Sequence, residues 1–226
     1  MYTIQKNLNR LNNYQPTFFL DPKEQNDLKM KLKKNDYKVF YPYKDSEKVI
    51  FYIDELPEVI LYEIKSKQEL RHQDILGTMY SLNISPEMFG DIILDNGRYF
   101  IYVLKLFQNY FEMNFTKVRN SSIELVRCDI DYLEDFERKY ETIELIVSSE
   151  RIDTVISSII HCNRAMIKDK IKDKEILLNH ELLKNNSYVL KIGDVFSIRR
   201  FGKYKYMGII KQTKKDNYII KCFKYL

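Results

Sequence analysis

Ile152, Val155, Ile156, Ile159 and Ile160 fall at i, i+3, i+4, i+7 and i+8. That spacing puts five branched apolar side chains on one face of an α-helix. So apolar a face must be buried, so the chain has to supply a second layer to cover it. The segments 175–179, 195–199, 203–210 and 218–223 read as strands, and Lys214-Lys215-Asp216-Asn217 supplies the last turn. A second short helix is expected after Asn163, with Ile167 and Ile171 on its buried stripe. Ser148 and Ser149 offer caps for the first helix. Residues 144–226 are therefore expected to form one small domain of helices on a sheet.

Charge separates this region from the rest. Residues 150–226 hold 17 Lys+Arg against 8 Asp+Glu, whereas residues 1–149 hold 20 against 24. The basic end should attract a polyanion and the remainder should not.

The remainder divides by pattern, since all five prolines lie at or before Pro86 and only six glycines punctuate the chain. Asp21-Pro22-Lys23-Glu24 reads as a helix start, with Asp21 as N-cap, Pro22 at the first helical position and Glu24 completing a capping box. Leu28 and Leu32 continue the stripe, and Lys33-Lys34-Asn35-Asp36 is the expected stop. Segments 37–41, 49–53 and 59–64 read as strands, giving a small α+β unit over 1–66. A second α+β unit is expected over 67–143, with an acidic bias. It has a helix over 74–82, a helix start at Ser85-Pro86-Glu87 and a hairpin turning at Asp95-Asn96-Gly97. Helical spacing at Leu104, Phe107 and Phe111 and a strand over 123–128 follow. The acidic stretch 129–144 is read as a link to the third unit. The fold class expected for the whole chain is α+β.

Several classes are disfavoured. The longest apolar runs, 50–53 and 100–104, are too short to cross a bilayer. The polar segment 1–10 lacks an apolar signal core, so no secretion signal is expected. Cys128, Cys162 and Cys222 are odd in number and widely spaced, fitting neither a disulfide framework nor a zinc site. The expectation is a cytoplasmic protein with no cofactor, no metal and no membrane association.

Four fragments of the third unit stand in a recognisable order: Arg151-Ile152-Asp153, Asn163-Arg164, the strand ending Leu177-Leu178-Asn179, and the turn Gly193-Asp194. Together they resemble the αL RNA-binding domain named after small-subunit ribosomal protein S-four. Ile152 stands where that pattern has Leu, Asn163 where it has Ser, and Lys174 where a turn glycine is common. The sequences 17–22, 71–77 and 90–93 extend the resemblance to the bacterial YlmH family, over nearly the whole chain. After the first strand, residues 41–48 depart from the family pattern. The resemblance implies a ribosome-associated RNA-binding protein, linked to the large subunit and to rescue of stalled, peptidyl-tRNA-bearing subunits. Its partners would be structured RNA, ribosomal or transfer.

The residues read agreeably with this. Arg164, Lys168 and Lys172 are four apart and share one helical face beside the Ile167/Ile171 stripe. Arg151 begins the preceding helix and is positioned to join them, with Asp153 expected to cap or to orient it. Asn163, Asn179 and His180 are further candidates for RNA contact. A second basic cluster, Arg199, Arg200, Lys203 and Lys205, is interleaved with Tyr204 and Tyr206. Alternation sets the two tyrosines on one face, as core, and the two lysines on the other, as phosphate contacts.

The rival reading is an RNA-modifying enzyme or its accessory subunit, since αL domains are appended to such enzymes. A glycine-rich cofactor loop or phosphate loop after a strand is not apparent. The best acid–base candidates are His72 with Asp74, expected as a helix cap, and the His161-Cys162 pair, which lacks an orienting third group. A protein-interaction role for the acidic middle unit is compatible with RNA binding elsewhere.

Overall fold

The computed structural model describes residues 2–33 and 36–225, excluding the side chain of Tyr2. Of the expected helix stop, Lys34 and Asn35 lie outside the described residues. The chain is a mixed α+β protein in two compact units, Met1–Glu137 and Arg138–Leu226. The first carries 18 Lys+Arg against 22 Asp+Glu and the second 19 against 10.

Unit 1 contains α1 (Tyr2–Asn12), α2 (Pro22–Lys29), β1 (Lys38–Phe40), β2 (Ile50–Tyr52), β3 (Val59–Ser66), α3 (His72–Ser81), β4 (Phe89–Asp95), β5 (Arg98–Leu104), α4 (Gln108–Asn114), β6 (Lys117–Val118) and β7 (Ser121–Cys128). An antiparallel sheet runs β4-β5-β3-β7-β6. On one face Tyr62, Ile64, Ile101 and Val103 pack with Ile75 and Met79 of α3 and Phe111 of α4. On the other, Leu61, Phe100, Tyr102 and Leu104 pack with Phe18, Phe19, Tyr43 and Ile50. Both central strands are thus covered twice, which is why they read as unbroken apolar runs. The division at residue 66 falls within this arrangement: β3 is the middle strand of the sheet, and the preceding residues form its second layer.

Local signals explain several elements. Asp21 Oδ1 accepts from Glu24 N at 2.8 Å and Glu24 Oε2 accepts from Asp21 N at 3.0 Å, the reciprocal capping box expected of α2. Asn96 and Gly97 take φ of 47° and 78°, making the tight β4–β5 turn. Ser85-Pro86 starts only a 3-10 turn, Pro86–Met88, because the following residues enter β4. Helix α1 was not anticipated. Its stripe Ile4, Leu8, Leu11 is interrupted by Asn7, which is fully buried and accepts from Phe18 N at 2.9 Å.

Unit 2 contains β8 (Tyr140–Val147), α5 (Ile152–Ile160), α6 (Arg164–Lys172), β9 (Ile176–Leu178), β10 (Glu181–Leu182), β11 (Val195–Ile198), β12 (Gly202–Gln212) and β13 (Tyr218–Tyr225). The sheet order is β10-β9-β11-β12-β13-β8, antiparallel throughout. Ile152, Val155 and Ile156 of α5 and Ile167 of α6 pack on Phe196, Ile198, Tyr204, Tyr206, Ile220 and Cys222 from one face of that sheet. The anticipated amphipathic stripe therefore does build the core. The acidic segment 129–144, read as a link, does contain the division between the two units, but its last residues, from Tyr140, belong to β8, which pairs with β13 along eight residues. Its Ile143, Leu145 and Val147 point into the core, while the acidic residues between them alternate outward or sit at the strand end. Neither Ser148 nor Ser149 caps α5. Arg151 occupies the N-cap position without a side-chain cap bond, held by Ile152 N donating to Tyr188 O at 2.8 Å and Leu190 N donating to Glu150 O at 3.0 Å.

Candidate nucleic-acid interface

Three segments of unit 2 carry the candidate side chains: the start of α5, the outer face of α6, and the β11–β12 turn. The start of α5 is preset. Arg151 donates through Nε to Asp153 Oδ1 at 3.1 Å and through Nη2 to Oδ2 at 2.7 Å. Asp153 is 2% exposed and sits within 3.5 Å of Asn186 Nδ2 as well. Burial alone would raise the Asp153 carboxyl, but the Arg151 fork and the nearby Arg164 outweigh it and hold it below its ordinary value. Asp153 is thus the orienting group for Arg151. A side chain so held presents its remaining donors with little conformational freedom left to lose.

Helix α6 begins at Arg164 because Asn163 caps it, its Oδ1 accepting from Met166 N at 2.9 Å. That bond makes Asn163 primarily a structural cap. Arg164 is exposed and touches Ser148 Oγ at 3.2 Å. Lys168 and Lys172 follow at one-turn intervals, both exposed, with Asp169 3.9 Å from Lys172. The inner stripe is as expected, Ile167 fully buried and Ile171 partly so. Sequence spacing did not reveal Ser148 as a partner of Arg164, since the two are 16 residues apart.

The β11–β12 turn abuts the same helix. Arg199 N donates to Glu175 O at 2.9 Å, just past the end of α6, and the Lys170 ammonium lies 5.6 Å from the Phe201 ring centre. Arg199 and Arg200 are exposed there, and Arg200 takes φ of +72° ahead of Gly202. Lys170 itself is paired with Glu175 at 2.8 Å. Arg164, Lys168, Lys172, Arg199 and Arg200 therefore belong to the helix-bearing side and its rim.

The structure does not bring every candidate together. Asn179 and His180, with φ of 48° and 68°, form the two-residue turn between β9 and β10. The Asn179 amide donates to Asp194 Oδ1 at 2.8 Å and accepts from Val195 N at 2.9 Å. The same Asp194, 8% exposed, accepts from Lys191 N at 2.8 Å through Oδ2. Asn179 is thus tied into the scaffold of the Gly193-Asp194 turn. Lys174, at φ +57°, makes its turn in the left-handed region without the glycine that would suit it. Lys203 and Lys205 alternate with the buried Tyr204 and Tyr206, as expected, and therefore lie on the sheet face opposite α5 and α6.

The enzyme candidates are committed elsewhere. Asp74 accepts from Arg71 Nε at 2.8 Å and Nη2 at 3.0 Å, with Arg119 at 3.5 Å. The Arg71 fork holds this carboxyl below its ordinary value despite partial burial, so it is a poor proton acceptor and does not cap α3. His161 ends α5 in the left-handed conformation, and burial raises the neighbouring Cys162 thiol. Burial pushes the Cys222 thiol up to about 12. Neither thiol is an activated nucleophile. Among the described residues, no helix is long and apolar enough to cross a membrane.

These features define a mixed α+β protein with a charge-paired N-terminal unit and an open cationic surface on its C-terminal unit. Comparison with known proteins adds what parts of the chain are similar to. Residues 57–132, the five-stranded sheet and its helices, match the family described as "Putative RNA-binding domain in YlmH". A relative from Bacillus subtilis (strain 168), the ribosome-associated protein quality control protein P2, is 25% identical over 147 residues. The match spans 65% of this chain and 57% of that protein. A solved structure of the cell division protein YlmH from Streptococcus pneumoniae, 24% identical, covers 59% of this chain and 92% of its own, with a TM-score of 0.46. The central domain, residues 57–132, is thus similar to the RNA-binding domain described for YlmH, and the chain spans a little over half the length of its Bacillus subtilis relative.

Proposed function

We propose that this protein binds structured RNA through unit 2, as a non-enzymatic, cytoplasmic factor acting on ribosomal or transfer RNA at the large ribosomal subunit. The carrying observation is the surface of α6: Arg164, Lys168 and Lys172 exposed on one face, flanked by Arg151 in its Asp153 clamp and by Arg199 and Arg200. Flexible lysines supply charge to a phosphate backbone, while the preset Arg151 offers a planar fork for a phosphate or an unpaired base. The order of fragments resembling the αL domain supports the same reading, with Asn163 and Asn179 as scaffold rather than contact. The name of the Bacillus subtilis relative, a ribosome-associated quality control protein, supports ribosome association and a role in handling stalled translation.

The test uses unit 2 alone, because it has its own core. The fragment must start at residue 138, since β8 begins at Tyr140 and a start at 144 would remove half of an edge strand. The folded fragment is expected to bind a ribosomal RNA hairpin at low salt, and unit 1 alone to bind it far more weakly. Binding confined to unit 1 would refute the assignment.

A further inference from the structure

The sheet face of unit 2 that points away from α5 and α6 carries an aromatic cluster among basic residues. Alternation and register put Tyr140 of β8, Phe223 and Tyr225 of β13, and Lys203, Lys205 and Lys221 on this face. The rings of Tyr140 and Phe223 stack with centroids 5.3 Å apart and planes within 20°, and Tyr225 meets Tyr140 edge-on at 5.1 Å. All three are only partly buried. The Lys203 ammonium lies 4.7 Å from the Tyr225 ring centre, and Lys221 lies 5.0 Å from that of Phe223.

An aromatic cluster at a sheet surface is most often cross-strand packing, which needs no cations over its ring faces. Here each outer ring is overlain by a long, flexible ammonium. On the paired strand Glu144 stands opposite Lys221. We infer that this face is a second RNA-binding site, one that stacks unpaired bases on Phe223 and Tyr225 while Lys203, Lys205 and Lys221 move onto the adjoining phosphates. Rings provide the sequence-tolerant stacking that single strands need, and lysines neutralise the backbone between stacked bases. A continuous duplex keeps its bases stacked internally and cannot use the rings. The two faces of the sheet therefore divide the ligand, with structured RNA on the helix side and a single-stranded segment on the other. The inference rests on the RNA-binding reading above but invokes none of its residues on α5, α6 or the β11–β12 turn.

The 226-residue chain contains no tryptophan, so a Phe223→Trp variant carries a single indole in the proposed site. A single-stranded adenylate octamer is expected to quench its fluorescence saturably, whereas an RNA hairpin without unpaired ends is not. In the otherwise unaltered protein, Tyr225→Leu is expected to weaken a labelled octamer roughly tenfold, and Lys203→Gln with Lys221→Gln to weaken it further. Hairpin affinity should stay within about twofold of the starting value, a surface change remote from a contact leaving it untouched. Arg164→Ala with Lys168→Ala should give the reverse pattern. Absence of quenching, together with octamer affinity unmoved by Tyr225→Leu while the hairpin still binds, would overturn the second site and leave the first intact. Failure of both RNAs to bind would overturn both.

Discussion

Units 1 and 2 carry comparable densities of charged residues and differ in how their arginines are paired. In unit 1 Arg98 forks the Glu63 carboxylate, Arg127 holds Glu112, and Arg71 and Arg119 share Asp74. In unit 2, among the described residues, no carboxylate lies within ion-pair distance of Arg164, Lys168, Arg199, Arg200 or Lys205, and the unit carries nine more basic than acidic residues. Cations answered from within hold a fold in place. Cations left unanswered repel one another and are best satisfied by a polyanion from outside. Net charge alone would have assigned this difference to composition, whereas the pairing pattern assigns it to particular side chains.

The largest effect that tests the contrast is in unit 1. Glu63 is 6% exposed, and Arg98 is its partner through two guanidinium nitrogens. Arg98→Ala strands that carboxylate in the sheet and is expected to lower the melting temperature of unit 1 by several degrees, with RNA affinity unchanged. Calorimetry alongside hairpin binding measures both. A loss of RNA affinity without a loss of stability would move the interface into unit 1.

A smaller effect sharpens the comparison at a unit 1 lysine that is partly buried and bonded to backbone carbonyls rather than ion-paired. Lys48 donates to Pro86 O at 2.7 Å and Phe89 O at 2.9 Å. Burial lowers its ammonium from the ordinary 10.5 to about 8, against the pull of Asp91, Asp21 and Glu24. Between these two values the unfolded chain keeps a proton that the folded chain has released, so folding gains stability as pH rises through that window. From pH 7.5 to 9.5 the gain is expected to be about 1 kcal/mol, discounted from the full shift because the side chain is partly exposed. Urea unfolding at the two pH values measures it. The same gain in Lys48→Met would show that another group is responsible.

Much of the architecture was legible where one short stretch decides the outcome. The α5 stripe, the Asp21–Glu24 capping box and the Asn96-Gly97 turn each rest on neighbours within a few positions. Two elements escaped for the opposite reason. Asn7 breaks the stripe of α1 and makes sense only beside Phe18 N, and β8 carries outward acids on a strand whose apolar alternation, Ile143, Leu145 and Val147, is short. The interface behaved likewise. The shared face of Arg164, Lys168 and Lys172 follows from helical spacing. The commitment of Asn179 to Asp194 spans 15 residues and follows from no local pattern. The clamp on Arg151 has a practical consequence: Arg151→Ala would strand the buried Asp153, so loss of binding and loss of stability could not be separated there.

Arg164 and Lys168 are exposed, with no carboxylate within ion-pair distance among the described residues, so their loss strands no buried partner as Arg151→Ala would. The most direct measurement is therefore the salt dependence of hairpin RNA binding by the full chain, compared with its Arg164→Ala, Lys168→Ala double variant. If each side chain neutralises one phosphate, the slope of log affinity against log salt flattens by about 1.4–1.8. Affinity near 0.1 M salt then falls roughly 25- to 60-fold. Thermal stability stays within about 1 kcal/mol, as for two ordinary surface substitutions. An unchanged slope and affinity in a folded double variant would contradict the account, because the outer face of α6 would then be solvated surface and not the RNA interface.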